Sequence, residues 1–137
     1  MTMKFPLMLL LLAGLQATAA ARAETPRDFL NRFEAEARAA SPGFSASAVR
    51  GERFFHNAGS KDWRCTSCHT DNPAATGKHA TTHKPIDPMA PATNPDRFAR
   101  ADKVDKWFKR NCNDVLDRAC SPAEKADLVA YLMTVKK

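Results

Sequence analysis

The sequence predicts an all-α fold, and three observations support this. Apolar residues recur at three- and four-residue spacing in several segments, which is the periodicity of an amphipathic helix. Two of these segments open with a hydroxyl residue, a proline and then an acidic residue, a pattern typical of helix N-termini. Between residues 72 and 96, five prolines leave few positions that could continue a helix or pair in a strand.

The N-terminal segment has the features of a secretory signal peptide. Lys4 precedes an apolar run at residues 5–15, and Ala21-Arg22-Ala23 is a cleavage pattern of small residues. The run is shorter than the roughly twenty residues that span a membrane. We therefore expect residues 1–23 to be cleaved after export to the bacterial periplasm, which leaves residues 24–137 as a single domain with no membrane span.

The charge balance does not favour nucleic acid as a partner. The chain carries 21 Lys and Arg against 15 Asp and Glu, a formal net charge of +6. The basic residues are interleaved with acidic ones, and no dense Lys/Arg tract appears.

The first predicted helix begins at Thr25, which is a favourable N-cap. Pro26 suits the first helical position, and the Asp28 carboxylate suits the first turn. The helix ends at Ser41-Pro42-Gly43, and we expect it to be an accessory to the core. Its apolar stripe consists of Phe29, Leu30, Phe33 and Ala37.

A second helix is predicted after Ser45 and ends near Asn57. Gly51 and Phe55 are four residues apart and share one face of it. A glycine inside a helix is destabilising by roughly 0.5–1 kcal/mol relative to alanine. Its position on the apolar face therefore indicates that another helix approaches closely.

The most specific motif is C-x-x-C-H at residues 65–69, which is typical of covalent c-type haem attachment. Cys65 and Cys68 are spaced to form thioethers with the two haem vinyl groups, and His69 then offers its imidazole as the proximal iron ligand. A zinc site would need a second closely spaced pair, and the two later cysteines are spaced too widely. A thioredoxin-like redox pair would need a preceding strand and a following helix, which the flanking sequence does not predict. The motif predicts one haem c.

The proline-rich segment after the motif is predicted to wrap the porphyrin. Its apolar residues favour a wall over a solvated linker, and we expect Ile86, Met89 and Phe98 to be wall residues.

Two further helices complete the predicted fold. One begins near Asp102, a possible N-cap, with Val104, Trp107 and Phe108 on its buried side. The last begins at Ser121, which forms a capping box with Glu124. Its apolar stripe, which can meet Gly51 and Phe55, consists of Leu128, Tyr131, Leu132 and Val135.

This order of elements resembles class I cytochrome c over most of the expected mature chain. A narrower resemblance is to the small high-spin cytochromes c of the SHP (sphaeroides haem protein) family. It is carried by Trp63-Arg64-Cys65, Gly77-Lys78-His79-Ala80, Pro88-Met89-Ala90-Pro91 and Lys106-Trp107-Phe108-Lys109-Arg110-Asn111-Cys112. The resemblance implies a class I cytochrome c fold around one covalently attached haem, with an extra N-terminal helix. The chain departs from the family at Thr82-His83-Lys84, where Gly rather than His is expected before the Lys.

The identity of the sixth iron ligand decides the function. The candidates are His79, His83, Met89, Asn111, Cys112, Asn113 and Met133. In a class I fold the distal ligand follows the third helix, here in a loop at about residues 110–120, which contains neither Met nor His. Cys112 and Cys120 are the remaining thiols of an exported chain, so we expect a disulfide between them rather than thiolate ligation. Asn111 and Asn113 then remain open, and the SHP resemblance implies Asn111.

Three classes of function follow. The SHP resemblance implies an asparagine ligand that is lost on reduction, after which small diatomic ligands (oxygen, nitric oxide) bind. It also implies a dihaem cytochrome c as electron donor, and a membrane cytochrome b is the other expected donor. The alternative is an ordinary electron-transfer cytochrome c with Met89 or His79 as distal ligand. A redox-sensing module is a third class, and the residues leave open whether the protein is an enzyme that turns its ligand over.

Overall fold

The computed structural model describes residues 22–57 and 59–137. The predicted signal peptide lies outside the described residues, apart from positions 22 and 23. Within the described residues, no helix is long and apolar enough to cross a membrane. The elements are α1 (Pro26–Ala40), α2 (Ala48–His56), α3 (Thr66–His69), β1 (Gly77–Lys78), β2 (Pro85–Ile86), α4 (Ala101–Leu116) and α5 (Pro122–Thr134), with 3₁₀ turns at Ser60–Asp62 and Pro95–Phe98.

The proline-rich segment contains a small antiparallel ladder that the sequence analysis did not expect. Gly77 pairs with Ile86, and Lys78 pairs with Pro85. A ladder of two residues per strand tolerates a proline because its strands have free edges. The fold is otherwise helical, as predicted.

The expectation that α1 is an accessory helix is wrong. Thr25 and Asp28 form a capping box at its start, as the sequence indicated. Its Phe29 and Phe33 side chains are each 1% exposed and belong to the main core. The helix packs along α5, and the Phe33 ring meets the Phe108 ring edge to face at 5.3 Å. The apolar stripe therefore covers α5 and also reaches α4.

The predicted close approach at Gly51 is confirmed. A Cβ atom at this position would overlap the backbone carbonyl of Asp127 and press on the Cβ atom of Tyr131. The neighbouring Phe55 is fully buried, with its ring 5.7 Å from that of Tyr131. Glycine is therefore required where α2 crosses α5.

A buried carboxylate fixes the same crossing. Asp127 accepts hydrogen bonds from the backbone N–H of Ser47 at 2.7 Å and from the Arg50 guanidinium through two nitrogens at 2.8 Å. The side chain of Asp127 is 9% exposed and that of Arg50 is 51% exposed. The carboxylate therefore holds the start of α2 against α5 while the guanidinium remains in contact with water.

Helix α4 differs from the prediction at both ends. Its N-cap is Arg100 rather than Asp102, which lies in the first turn and binds Arg100 at 2.7 Å. The helix continues to Leu116 and ends at Asp117 in the left-handed conformation, with φ of 58°. Residues 110–116 are therefore helical and not part of a distal loop. Apolar residues at helical spacing continue from Val104 to the end of the helix.

Candidate haem-binding site

A cavity of about 830 Å³ lies between α3, the proline-rich segment, α4 and α5. This volume is within the usual range for small-molecule and cofactor pockets. The predicted wall residues Ile86, Met89 and Phe98 all line it, which confirms that part of the prediction. Leu128 and Leu132 of α5 contribute further apolar surface.

The three residues of the haem motif are brought together on one side of this cavity. Cys65, Cys68 and His69 all line it, and neither cysteine is in a disulfide. The backbone N–H of His69 donates to the carbonyl of Cys65 at 3.0 Å, which closes a helical turn. A Cβ atom at Gly77 would overlap the Cys68 carbonyl, so β1 packs directly on this turn. The motif is therefore held as a compact turn.

The electrostatics of the motif suit metal binding by a neutral imidazole. Burial and then the charge of Arg97 lower the pKa of His69 to about 4, so at neutral pH its ring keeps a nitrogen lone pair. Burial raises the pKa of the Cys65 thiol to about 11. Together with the apolar cavity, this donor set fits a c-type haem.

The structure distinguishes between Asn111 and Asn113, the two candidate iron ligands that the sequence left open. Asn111 is half-buried and lines the haem cavity. Asn113 is exposed and lines a different cleft, of about 260 Å³, beside Ser60 and Trp63. One turn of α4 therefore directs these two amides to different places.

Cys112 and Cys120 meet at the junction of α4 and α5. Both are buried, and their Cα atoms are 5.5 Å apart, a separation that suits a disulfide. Cys112 follows Asn111 directly and lies in the last part of α4, whereas Cys120 lies just before α5.

His79 lines the cavity, but its ring is engaged elsewhere. Its Nδ1 atom accepts hydrogen bonds from the backbone N–H groups of Thr81 at 3.3 Å and Thr82 at 3.1 Å. A neutral imidazole that accepts at Nδ1 carries its proton on Nε2. His79 therefore has no free lone pair for a metal in this arrangement.

The other sequence candidates for the sixth ligand are placed less favourably. Met89 lines the cavity, and its backbone N–H donates to the Pro73 carbonyl at 2.9 Å, which ties it to the segment directly after α3. His83 and Met133 are not among the residues that line the cavity.

Sequence reasoning missed the partly buried cation of the cavity wall. Arg97 lines the cavity, and its guanidinium carbon lies 4.1 Å from the centre of the Trp107 ring. The available signal was a single basic residue directly before the wall residue Phe98, but nothing local distinguished it from other arginines.

Comparisons with known proteins agree with this geometry. Residues 41–132 match the family model described as a domain of unknown function, DUF1924. The chain is 40% identical over 128 residues to the cytochrome c-type protein SHP of Cereibacter sphaeroides, which covers 90% of this chain and 95% of that protein. It is 42% identical over 106 residues to cytochrome c'' of Methylophilus methylotrophus, which covers 74% of each chain. The chain belongs to this SHP and cytochrome c'' family.

Solved structures of the same relatives share the fold. The structure of oxidised SHP, described as an oxygen-binding cytochrome c, matches with a TM-score of 0.72 at 39% identity, over 82% of this chain and 98% of that one. The solution structure of cytochrome c'', determined to study haem-ligand detachment, matches with a TM-score of 0.73 at 39% identity, over 82% and 94%. This SHP-family cytochrome therefore has the predicted cytochrome c fold, with α1 as an additional N-terminal helix.

Proposed function

We propose that this protein is an exported monohaem cytochrome c whose iron binds oxygen or nitric oxide when reduced. The observation that carries the proposal is the placement of Asn111, and not Asn113, on the wall of the haem cavity. A cytochrome with a permanent methionine or histidine ligand has no open position for a diatomic molecule, whereas a weakly bound amide can leave.

The haem would be held by the three residues of the motif. Cys65 and Cys68 would form the thioethers, and His69 would be the proximal ligand. When bound, haem supplies an iron that cycles between the ferric and ferrous states and binds diatomic molecules in the ferrous state. The apolar residues around it exclude water.

Asn111 would be the distal ligand in the ferric state. Its amide oxygen is a neutral, hard donor, which suits the ferric ion better than the ferrous ion. We infer that Asn111 leaves on reduction and returns on oxidation. The relatives support the proposal of a detachable iron ligand, because SHP is described as oxygen-binding and cytochrome c'' was studied for detachment of a haem ligand.

A disulfide between Cys112 and Cys120 would limit how far the amide moves. Asn111 precedes Cys112, so a bond from Cys112 to the start of α5 holds this turn of α4 beside the cavity. The Asn111 side chain could then change rotamer without unfolding of the helix end.

An ordinary electron carrier with Met89 or His79 as distal ligand is less well supported. His79 would have to give up two backbone hydrogen bonds at Nδ1 or lose the proton at Nε2. Met89 is hydrogen-bonded through its backbone to Pro73, four residues after His69, which ties it to the segment directly after the haem motif.

The remaining parts of the proposal concern location and partners. Residues 1–23 would be the cleaved signal peptide, and residues 24–137 would form the single periplasmic domain. A dihaem cytochrome c or a membrane cytochrome b would supply electrons. Turnover of the bound ligand would make the protein an enzyme, and steady-state consumption of oxygen or nitric oxide by the reduced protein measures it.

Spectra of two matched variants test the assignment of Asn111. The Asn111→Val variant should have an altered ferric absorption spectrum and a ferric iron open to added ligands such as azide. Its ferrous spectrum should be almost unchanged, high-spin and five-coordinate, because the amide is not bound in that state. The Asn113→Val variant, which changes the exposed amide of the same helix, should leave both spectra unchanged.

The opposite result identifies an electron carrier. If the ferrous wild-type protein is low-spin and does not bind carbon monoxide, and if Met89→Ala or His79→Ala abolishes that state, then the Asn111 assignment is wrong.

A further inference from the structure

Arg97 is a partly buried cation on the wall of the haem cavity, and the proposed function does not use it. Within the described residues it takes part in none of the five ion pairs, and its guanidinium donates no hydrogen bond. Loss of water around it lowers its pKa to about 10, an effect that the charge of Asp87 opposes and the charge of Arg110 increases, so Arg97 stays charged at neutral pH. A cation withdrawn from water is unfavourable unless an anion pairs with it.

The guanidinium is held in one place by its surroundings. Its carbon lies 4.1 Å from the centre of the Trp107 ring, a cation–π contact. The next residue, Phe98, is 4% exposed, and its ring lies 5.8 Å from that of Phe29 in the core. The Asn94 side chain donates to the Pro88 carbonyl at 2.9 Å and fixes the start of the same turn. One face of the guanidinium is thus covered, and its N–H edges remain for a ligand.

The nearby carboxylates of the protein do not fill this role. Asp87 and Asp114 also line the cavity, and both are exposed. The charge of Asp87 acts on Arg97. Neither carboxylate, however, lies within ion-pair distance of Arg97 in the described structure. The N–H edges of the guanidinium are therefore open to a carboxylate in the cavity.

We propose that Arg97 binds a propionate carboxylate of the haem and that Trp107 keeps the guanidinium in the orientation for this contact. The inference rests on the proposed function, since it requires the haem. A carboxylate can accept two parallel N–H bonds from one guanidinium, and this bidentate pairing is the geometry for which arginine is suited and lysine is not. The haem carries two propionates, so one remains available to solvent or to Arg110.

The pairing has a consequence for the redox equilibrium. An unpaired propionate adds negative charge near the iron and favours the ferric state. Arg97 neutralises one propionate and so favours the ferrous state, in which diatomic ligands bind. At an effective dielectric constant of about 20, one charge at roughly 10 Å changes an equilibrium constant by about tenfold.

Three substitutions in the holoprotein test the proposal. In Arg97→Gln, the propionate bending band in the resonance Raman spectrum should shift to that of a propionate without a strong hydrogen bond, and the ferrous-to-ferric equilibrium constant should fall about tenfold. Arg97→Lys keeps the charge but loses the bidentate contact, so its band should shift while its equilibrium constant changes less. Arg100→Gln removes an exposed charge three residues away and should leave the band unchanged.

An unshifted propionate band in Arg97→Gln overturns the proposal. If Arg97→Gln does not accumulate as holoprotein, an unshifted band in Arg97→Lys overturns it equally. Denaturing electrophoresis of every variant keeps this result distinct from the proposed function. If the haem stays attached and the propionate band does not shift, only the proposed role of Arg97 is wrong. If the wild-type protein loses its haem, both this role and the proposed function are wrong.

Discussion

Two regions of the molecule are built differently. One is the three-helix framework of α1, α2 and α5, and the other is the haem side, formed by residues 70–116. In the framework, helix packs directly on helix, and Gly51 allows α2 to touch the α5 backbone. On the haem side, the principal contacts of α4 with other elements are with the two 3₁₀ turns. Its inward residues Trp107, Asn111 and Val115 face the cavity instead of another helix.

This difference indicates where the cofactor contributes to folding. The framework is held by direct helix packing, and Leu128 and Leu132 of α5 also line the cavity. Helix α4 reaches the framework through contacts such as the Arg32–Asp105 pair and the edge-to-face contact of Phe108. We therefore expect attached haem to stabilise α4 far more than the framework, since a buried porphyrin supplies apolar surface against which the inward side of α4 packs.

Removing the proposed thioether residues, Cys65 and Cys68, should separate the two regions most clearly. In the wild-type protein the haem should stay on the polypeptide in denaturing electrophoresis, and Cys65→Ala with Cys68→Ala should release it completely. Hydrogen exchange of that variant should show lost protection in α4 and retained protection in α5. Cys112→Ala with Cys120→Ala is the control that should keep its haem. Release of haem from the wild-type protein, or equal loss of protection in α4 and α5, contradicts this view.

The next largest effect should come from the framework itself. Gly51→Ala places a Cβ atom against the Asp127 carbonyl, so α2 and α5 must move apart, and we expect a loss of about 3 kcal/mol in the free energy of unfolding. Gly43→Ala is the matched control, because no atom lies within 4 Å of a Cβ atom there, and its effect should stay within about 0.5 kcal/mol. Urea unfolding of both holoproteins measures the difference, and equal stabilities would show that α2 can shift at no cost.

The proposed disulfide should have a smaller effect, at the edge of the haem side. Closure of the short loop between Cys112 and Cys120 is worth about 2–3 kcal/mol in the chain-entropy model, so the double alanine variant should lose that much stability. Thiol titration of the unfolded, unreduced holoprotein should find no free sulfhydryl. Two free thiols would return Cys112 to the possible iron ligands.

Local signals explain why much of the fold could be predicted. The caps at Thr25 and Ser121 and the haem motif each lie within five consecutive residues, so the sequence shows them directly. The role of α1 was not predictable in this way, because periodicity reveals an apolar face but not what covers it. The end of α4 was misplaced because the position of the distal ligand was taken from class I topology, whereas the helical periodicity itself continues to Leu116.

Prediction of the site from the sequence was limited in the same way. Asn111 and Asn113 are two residues apart and chemically identical, and only the rotation of α4 assigns one to the cavity and the other to the neighbouring cleft. Arg97 becomes notable through its contact with Trp107, ten positions later in the chain. Such contacts depend on tertiary packing, which a single sequence does not display.

The smallest expected effect concerns the outer rim of the haem side, where electrons from a donor would enter. Arg64 and Arg110 are exposed and line the cavity, with the exposed Lys78, Lys106 and Lys109 on the same segments. Asp87 and Asp114 offset part of this charge, so we expect modest steering of an acidic electron donor.

The bimolecular reduction rate should fall as salt rises, because charges more than about 8–10 Å apart are screened near physiological ionic strength. Arg64→Gln with Arg110→Gln should flatten that dependence. Arg27→Gln with Arg53→Gln removes the same charge at exposed positions that do not line the cavity, and it should leave the slope close to that of the wild type. Stopped-flow reduction at several salt concentrations measures all three. An equal slope in both double variants would mean that net charge, and not the rim of the cavity, governs the encounter with the donor.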